Sequence, residues 1–224
     1  MPFFIIETLS QFYFKSNPKR KKEIVLANKI TGIENSSISQ VLGDMYQNIN
    51  IYDNNILIFN KQLPSPISEN GLFYYKYFLQ DSSFDGKHYL YHLTFKPKRV
   101  QELSFTGNIW IADTSWGVKR LEMSLPKDAN INFINSTAVV QTYTNVDSAW
   151  MMQKERLVID FNPFPIEQKN KSMMGIYGRK TADYSNFKIN QQREDKFYSM
   201  TENLKVNDDA FKKSEEFWET HRHD

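Results

Sequence analysis

The fold is decided by residues 88–95, which read HYLYHLTF. In an extended chain, successive side chains point to opposite faces. The odd positions then place four large apolar or aromatic side chains on one face: Tyr89, Tyr91, Leu93 and Phe95. The even positions include two histidines and a threonine. A strand with one apolar face is typical of an antiparallel sheet that is covered on one side only.

The same two-residue period continues in both directions along the chain. Odd positions carry apolar side chains in four further runs: residues 73–79, 103–111, 121–125 and 151–161. The links between the runs are short and contain turn residues such as Asp85-Gly86 and Asp113-Thr114-Ser115. Parallel strands would need crossovers of about a dozen residues or more. The sequence therefore predicts an antiparallel meander whose odd-numbered apolar side chains share one wall.

Helices are expected at two places. After Ser36, a residue type common at N-caps, apolar residues at positions 38, 41, 42 and 45 have helical spacing. A second, amphipathic helix is expected near Asp208–His221 and stops at the chain terminus without a cap. The predicted fold class is α+β and mainly β. It consists of a curved antiparallel meander sheet, shaped like a half-barrel, packed on one or two helices, plus the C-terminal helix.

The N-terminal region is harder to interpret. Phe3 to Lys15 has the composition of a strand, and residues 23–30, EIVLANKI, fit either a returning strand or a short helix. Residues 54–66 are expected to form a loop-rich connection, because Asn and Pro punctuate them. We therefore divide the chain into a strand region (1–35), the curved sheet with its helix (36–192) and a tail (193–224) whose helix leads out of the domain.

Composition argues against several classes of function. The net charge of +2 is too weak to indicate a nucleic-acid partner. The absence of cysteine excludes disulfides, thiol nucleophiles and cysteine-bound metals. No run of about 18 apolar residues is present, so no transmembrane helix is expected. The sequence also lacks a nucleophile elbow, a phosphate loop and a dinucleotide fingerprint. We therefore expect no enzymatic activity and no cofactor.

His88 and His92 are the histidines that precede the C-terminal tail. On a strand, four residues separate them by about 13 Å, which is too far for both to bind one ion. In a helix they would stack one turn apart, but the alternation of this segment argues against a helix. We expect two half-exposed cross-strand histidines and no metal site.

The strongest cluster of charge is the run Lys19, Arg20, Lys21 and Lys22. One interpretation is that these cations contact phosphates or the headgroups of anionic lipids. The alternative is a solvated turn after Pro18, which the balanced charge of the rest of the chain favours.

Several segments match the sequence of one protein family. They include LGDMYQN at residues 42–48, FKPKR at 95–99 and YGRKT at 177–181, and such matches cover nearly the whole chain. On these segments the chain resembles the domain-of-unknown-function region of bacterial outer-membrane proteins that contain a carboxypeptidase-regulatory-like domain. More loosely, Phe105 to Met123 is similar to a strand pair of periplasmic lipoprotein carriers, whose curved sheets wrap helices around an apolar cavity.

The first resemblance implies a non-catalytic periplasmic domain, associated with the outer membrane and acting in binding or assembly. Other domains of the parent protein, and a lipid or lipoprotein, are then the expected partners. An alternative is a carrier that holds the acyl chain of a lipid or lipoprotein in the concave face of the sheet. The carrier hypothesis predicts an apolar cavity of about 300–1,000 Å³. Its expected lining residues are Phe73, Tyr75, Tyr91 and Phe105.

Overall fold

The structure is a computed structural model that describes residues 4–32, 49–58, 61–99, 102–126, 134–161, 176–198 and 204–222. The helix predicted after Ser36 lies outside the described residues. The chain divides into two compact units. The smaller combines Met1–Ser39 with Asn190–Asp224, and the larger is Gln40–Ile189. Both ends of the chain therefore belong to the smaller unit.

Strands dominate the described residues. They are β1 (Phe4–Lys15), β2 (Arg20–Gly32), β3 (Asn55–Ile58), β4 (Lys61–Pro64), β5 (Tyr75–Asp85), β6 (His88–Pro97), β7 (Thr106–Ala112), β8 (Val118–Ser124), β9 (Ile134–Val146), β10 (Ala149–Phe161), β11 (Ile176–Asp183) and β12 (Leu204–Val206). The helices are short: α1 (Gly71–Tyr74), α2 (Asp195–Tyr198), α3 (Glu215–His221) and a 3-10 turn at Ala210–Lys212. No helix within the described residues is long and apolar enough to cross a bilayer.

The larger unit is built on a seven-stranded antiparallel sheet in which β5 to β11 follow one another in chain order. The mainly β fold with an antiparallel meander is therefore confirmed. The alternation sets which side becomes the core, because residues that pair across antiparallel strands share a face. Leu93, Ile109 and Leu121 pair in register across three neighbouring strands. We call the side that carries them the core face and the other side the polar face.

A short hairpin covers part of the core face. β3 and β4 pair antiparallel, and Ile56, Ile58 and Leu63 join the hydrophobic core together with Ile49 and Ile51. This corrects the expectation of a loop-rich connection over residues 54–66. The two strands have only four residues each, so a two-residue period over so short a length gives little signal in the sequence.

Bulges interrupt the alternation at four places among the described strands of this sheet, one of which is Asn135 of β9. Gln80 of β5, Lys119 of β8 and Gln153 of β10 are each an additional residue without a partner position on the neighbouring strand. A bulge redirects the side chains that follow it. The bulge at Gln153 places Met152 opposite Tyr143 on the core face. Met151, expected on the apolar wall, therefore lies on the polar face.

The smaller unit contains a three-stranded sheet in the order β1-β2-β12. Residues 23–30 are thus strand, not helix. The C-terminal helix is confirmed but is shorter than predicted, and it begins after Ser214, whose Oγ accepts a hydrogen bond from the Phe217 N–H. Arg222 donates two hydrogen bonds to the Glu7 carboxylate of β1, at 2.5 and 2.8 Å. The end of α3 is therefore tied to the first strand.

Candidate functional site

The structure does not bring together the four residues expected to line a hollow. Tyr75 and Phe105 do lie together, but inside the core, where they are 1% and 0% exposed. The Tyr75 hydroxyl donates to the Pro64 carbonyl (2.6 Å) and accepts from the Phe105 N–H (3.1 Å), and burial raises its pKa. Phe73 lies in α1 and is 77% exposed. Tyr91 is half-buried and pairs with Ser82.

The basic run at residues 19–22 does not form one surface. Lys19 lies in the turn between β1 and β2, and the next two cations are exposed at the start of β2. Lys22 is only 4% exposed. Its ammonium donates to the Phe197 carbonyl (2.9 Å) and lies 4.4 Å from the centroid of the Phe197 ring. Lys22 therefore packs α2 against the small sheet.

His88 and His92 are half-buried and pack against tryptophans. The ring of His92 stacks on Trp110 with centroids 4.4 Å apart, and its Nε2 lies 3.0 Å from Asn108 Oδ1. The ring of His88 lies 5.1 Å from that of Trp150. Among the residues that the structure describes, no three His, Cys, Asp or Glu side chains are grouped to hold a metal ion. Packing therefore accounts for both histidines.

An open groove of about 400 Å³ lies on the polar face. A volume of this size falls in the range of small-ligand sites, roughly 300–1,000 Å³. Polar and charged groups dominate its lining, which consists of Ser83, Asp85, Leu90, Trp110, Lys119, Arg120, Thr142 and Gln153. This lining suits a ligand that forms hydrogen bonds and carries charge, and it does not suit an acyl chain.

Two of the four bulge residues of the sheet line this groove. Lys119 and Gln153 are the additional residues of β8 and β10, and both contribute to the lining. Bulges often redirect side chains next to functional sites. Lys119 and Arg120 are neighbours in β8, and in a regular strand their side chains would point to opposite faces. The bulge at Lys119 changes this direction, and both cations line the groove. The bulges could not be predicted from the sequence, since nothing local distinguishes a bulge residue from its neighbours.

Exposed ion pairs hold the two cations of the groove. Lys119 Nζ lies 3.4 Å from an Asp85 carboxylate oxygen, and both side chains are partly exposed. Arg120 Nη2 lies 2.6 Å from Glu122 Oε1, and the Arg120 guanidinium lies 5.7 Å from the centroid of the Trp110 ring. Exposed ion pairs are worth about 0–1 kcal/mol. An anionic group of a ligand can therefore replace either carboxylate at small cost.

The core face contains a buried polar network that the sequence analysis missed. Gln141 and Glu155 pair across β9 and β10 and are 0% and 1% exposed. Gln141 Nε2 donates to Glu155 Oε2 (2.6 Å) and to the Ile49 carbonyl (2.7 Å), and the Tyr143 hydroxyl donates to Gln141 Oε1 (2.9 Å). Lys180 Nζ lies 3.0 Å from Glu155 Oε1. Gln141 and Glu155 occupy odd positions, where the two-residue period otherwise places apolar side chains. This exception to the pattern is the signal that could have revealed the network.

The chain belongs to a family of unknown function (DUF5686), whose model matches residues 2–177. The match covers the strands β1 to β10 and therefore both the core and the groove. No curated protein and no solved structure matches the chain.

Proposed function

We propose that this chain is a non-catalytic periplasmic domain of an outer-membrane-associated protein, and that it binds an anionic group of a partner in the groove of the polar face. The location is supported by the resemblance to outer-membrane proteins that contain a carboxypeptidase-regulatory-like domain. Other domains of the parent protein are then the expected partners, and a lipid is a further one. A protein domain would offer a carboxylate to the groove, and a lipid headgroup would offer a phosphate.

The observation that carries this proposal is the pair of cations in the groove. Lys119 and Arg120 reach it from one bulged strand, beside the hydroxyl of Thr142 and the amide of Gln153. Hydrogen bonds between charged partners contribute about 1.5–3 kcal/mol each. Strands hold these groups in place, so little ordering is required when a ligand binds.

The alternative of an acyl-chain carrier gains no support from the four residues expected to line its cavity. Tyr75 and Phe105 are packed against each other and hydrogen-bonded, and Phe73 is exposed to solvent. We therefore propose the binding of a polar group and not of a lipid tail.

Titration calorimetry tests the groove with three probes: hexaglutamate, inorganic phosphate, and vesicles that contain phosphatidylglycerol. We expect hexaglutamate or phosphatidylglycerol to bind, and the variant Lys119→Gln/Arg120→Gln to lose about tenfold or more in affinity. The matched control is Lys76→Gln/Arg179→Gln, which removes the same charge from exposed positions of the same sheet. Preference between the peptide and the vesicles identifies carboxylate or phosphate as the ligand.

The groove is the wrong site if the two double variants lose affinity equally, because net charge alone would then explain binding. It is also wrong if none of the three probes binds to the wild-type chain.

Cysteine labelling tests the location, since the natural chain contains no cysteine. Lys87→Cys places a thiol at the exposed turn between β5 and β6. In cells that express the parent protein, we expect a membrane-impermeant maleimide to label this thiol once the outer membrane is permeabilised. Ala112→Cys, at a fully buried position, is the control and stays unlabelled. Labelling of Lys87→Cys that requires lysis of the inner membrane contradicts a periplasmic location.

A further inference from the structure

Four aromatic rings form a row at one end of the seven-stranded sheet. Successive ring centroids lie 4.9 Å apart between Phe84 and Tyr89, 5.5 Å between Tyr89 and Tyr91, and 6.2 Å between Tyr91 and Trp116. Phe84 and Trp116, at the two ends of the row, are 73% and 69% exposed. Large apolar side chains that lie together at the surface often mark an interaction site. We call these four residues the aromatic row.

The aromatic row shares no residue with the groove. Phe84 and Tyr89 pair directly across β5 and β6, so their side chains lie on the same side of the sheet. Ser83 and Asp85, which flank Phe84, line the groove. Because side chains alternate along a strand, the aromatic row and the groove lie on opposite sides of the sheet.

The turn between β7 and β8 holds Trp116 in an unusual conformation. Its φ of 54° lies in the left-handed region, which bulky residues rarely adopt. The Trp116 N–H donates to the Ala112 carbonyl (3.0 Å). Only glycine fits at position 117, since a Cβ there would lie 2.0 Å from Trp150 Cδ1, and Trp150 Nε1 donates to Ser115 Oγ (3.0 Å). Strain of this kind at an exposed side chain points to a functional role.

Hydrogen-bonding groups accompany the rings. Ser82 Oγ and the Tyr89 hydroxyl lie 2.6 Å apart. The Tyr91 hydroxyl donates to Asp113 Oδ1 across 3.4 Å, and the nearby Asp113 carboxylate raises the pKa of Tyr91. An ionised carboxylate has about four acceptor sites, so Asp113 can accept further hydrogen bonds. The aromatic row therefore combines flat apolar faces with hydroxyl and carboxylate groups.

We propose that the aromatic row binds a saccharide chain. The C–H bonds on one side of a pyranose ring form an apolar patch with a slight positive charge, which packs on the negative face of an aromatic ring. The sugar hydroxyls then need donors and acceptors such as Ser82 and Asp113. Phe84 and Trp116 provide stacking surfaces at both ends of the row, which suits a chain of several sugars. A bilayer surface fits less well, because inserting this end would desolvate the Asp113 carboxylate.

Electrophoresis in gels that contain a soluble polysaccharide tests this proposal. The probes are a β-1,4-glucan, a β-1,3-glucan, an α-1,4-glucan and a polygalacturonate. We expect at least one of them to retard the chain, and Trp116→Ala to weaken the affinity about tenfold or more, with a smaller loss for Phe84→Ala. Tyr177→Ala, which removes a 65% exposed ring from β11 at an edge of the sheet, is the control and binds normally.

A second measurement uses the wild-type chain, so it does not depend on the folding of a variant. Trp116 is the most exposed of the three tryptophans of the larger unit, since Trp110 and Trp150 are half-buried. A bound saccharide shields its indole, so the fluorescence becomes harder to quench with acrylamide.

Three outcomes would overturn the proposal. In the first, none of the four polysaccharides retards the chain. In the second, Trp116→Ala is retarded as strongly as the wild type. In the third, phosphatidylcholine vesicles bind the wild-type chain but not Trp116→Ala, which would assign the aromatic row to a lipid surface.

Discussion

The two faces of the seven-stranded sheet contain the same kind of ion pair in different surroundings. On the core face, Lys180 approaches Glu155, and their side chains are 17% and 1% exposed. On the polar face, Lys119 approaches Asp85, and both side chains are more exposed. A buried carboxylate depends on its cation for compensation, whereas water can replace either partner of an exposed pair. The comparison indicates that the fold tolerates the loss of one partner poorly in the first pair, and that the second pair remains available to a ligand.

The largest expected effect concerns two phenylalanines of the hairpin formed by β5 and β6. Phe95 is fully buried and Phe84 is 73% exposed. We expect Phe95→Ala to lower the free energy of unfolding by about 3–5 kcal/mol, because it removes buried apolar atoms and leaves a cavity. Phe84→Ala should change it by about 0.5 kcal/mol or less. Urea denaturation of both variants measures the difference. Because both rings lie on the core-face side of the sheet, similar losses would mean that the buried part of that face is assigned wrongly.

Breaking the two ion pairs is expected to change the free energy of unfolding by different but smaller amounts. Lys180→Met leaves Glu155 buried without its cation, and we expect it to lower the free energy of unfolding by about 3 kcal/mol. Lys119→Met removes a lysine from an exposed pair and should cost at most about 1 kcal/mol. Thermal denaturation at neutral pH measures both. If Lys119→Met is the more destabilising variant, the contrast between the faces is refuted.

The smallest effect is expected at alkaline pH. Burial raises the pKa of Tyr75 and Tyr143 on the core face. The unfolded chain releases these protons near the ordinary value of 10.0, while the folded chain retains them. The free energy of unfolding therefore falls as the pH rises above 10 and is unaffected by these groups below it.

Urea denaturation between pH 8 and pH 11 measures this fall. Tyr75→Phe removes one of the two phenols, so we expect the free energy of unfolding of this variant to fall less steeply above pH 10. At neutral pH the variant is less stable than the wild type, because it lacks the hydrogen bonds to Pro64 and Phe105. A decline in Tyr75→Phe as steep as in the wild type would contradict a buried phenol at this position.

The sequence predicts the sheet better than it predicts the sites. The period of two residues gives the strands and the core face, because side-chain direction follows directly from position in a strand. It fails at Met151, where the bulge at Gln153 reverses the direction, and at Phe73, where α1 replaces the start of the strand.

The candidate sites depend on contacts that are distant in the sequence. Lys119 and Gln153 both line the groove because β9 brings β8 and β10 close together and each of these two strands has an additional residue. The basic run at residues 19–22 was visible in the sequence, but the burial of Lys22 depends on Phe197, far away in the chain. Local patterns do not contain such information.

The chain contains four tryptophans, and their indole N–H groups test the proposed groove most directly. Trp110 lines the groove, whereas Trp218 is buried in the smaller unit. In a ¹⁵N–¹H spectrum recorded during titration with whichever of hexaglutamate and phosphatidylglycerol binds in calorimetry, we predict a progressive shift of the Trp110 indole signal while the Trp218 signal stays in place. A fixed Trp110 signal, or equal shifts of both indoles, would contradict the binding of an anionic group on the polar face.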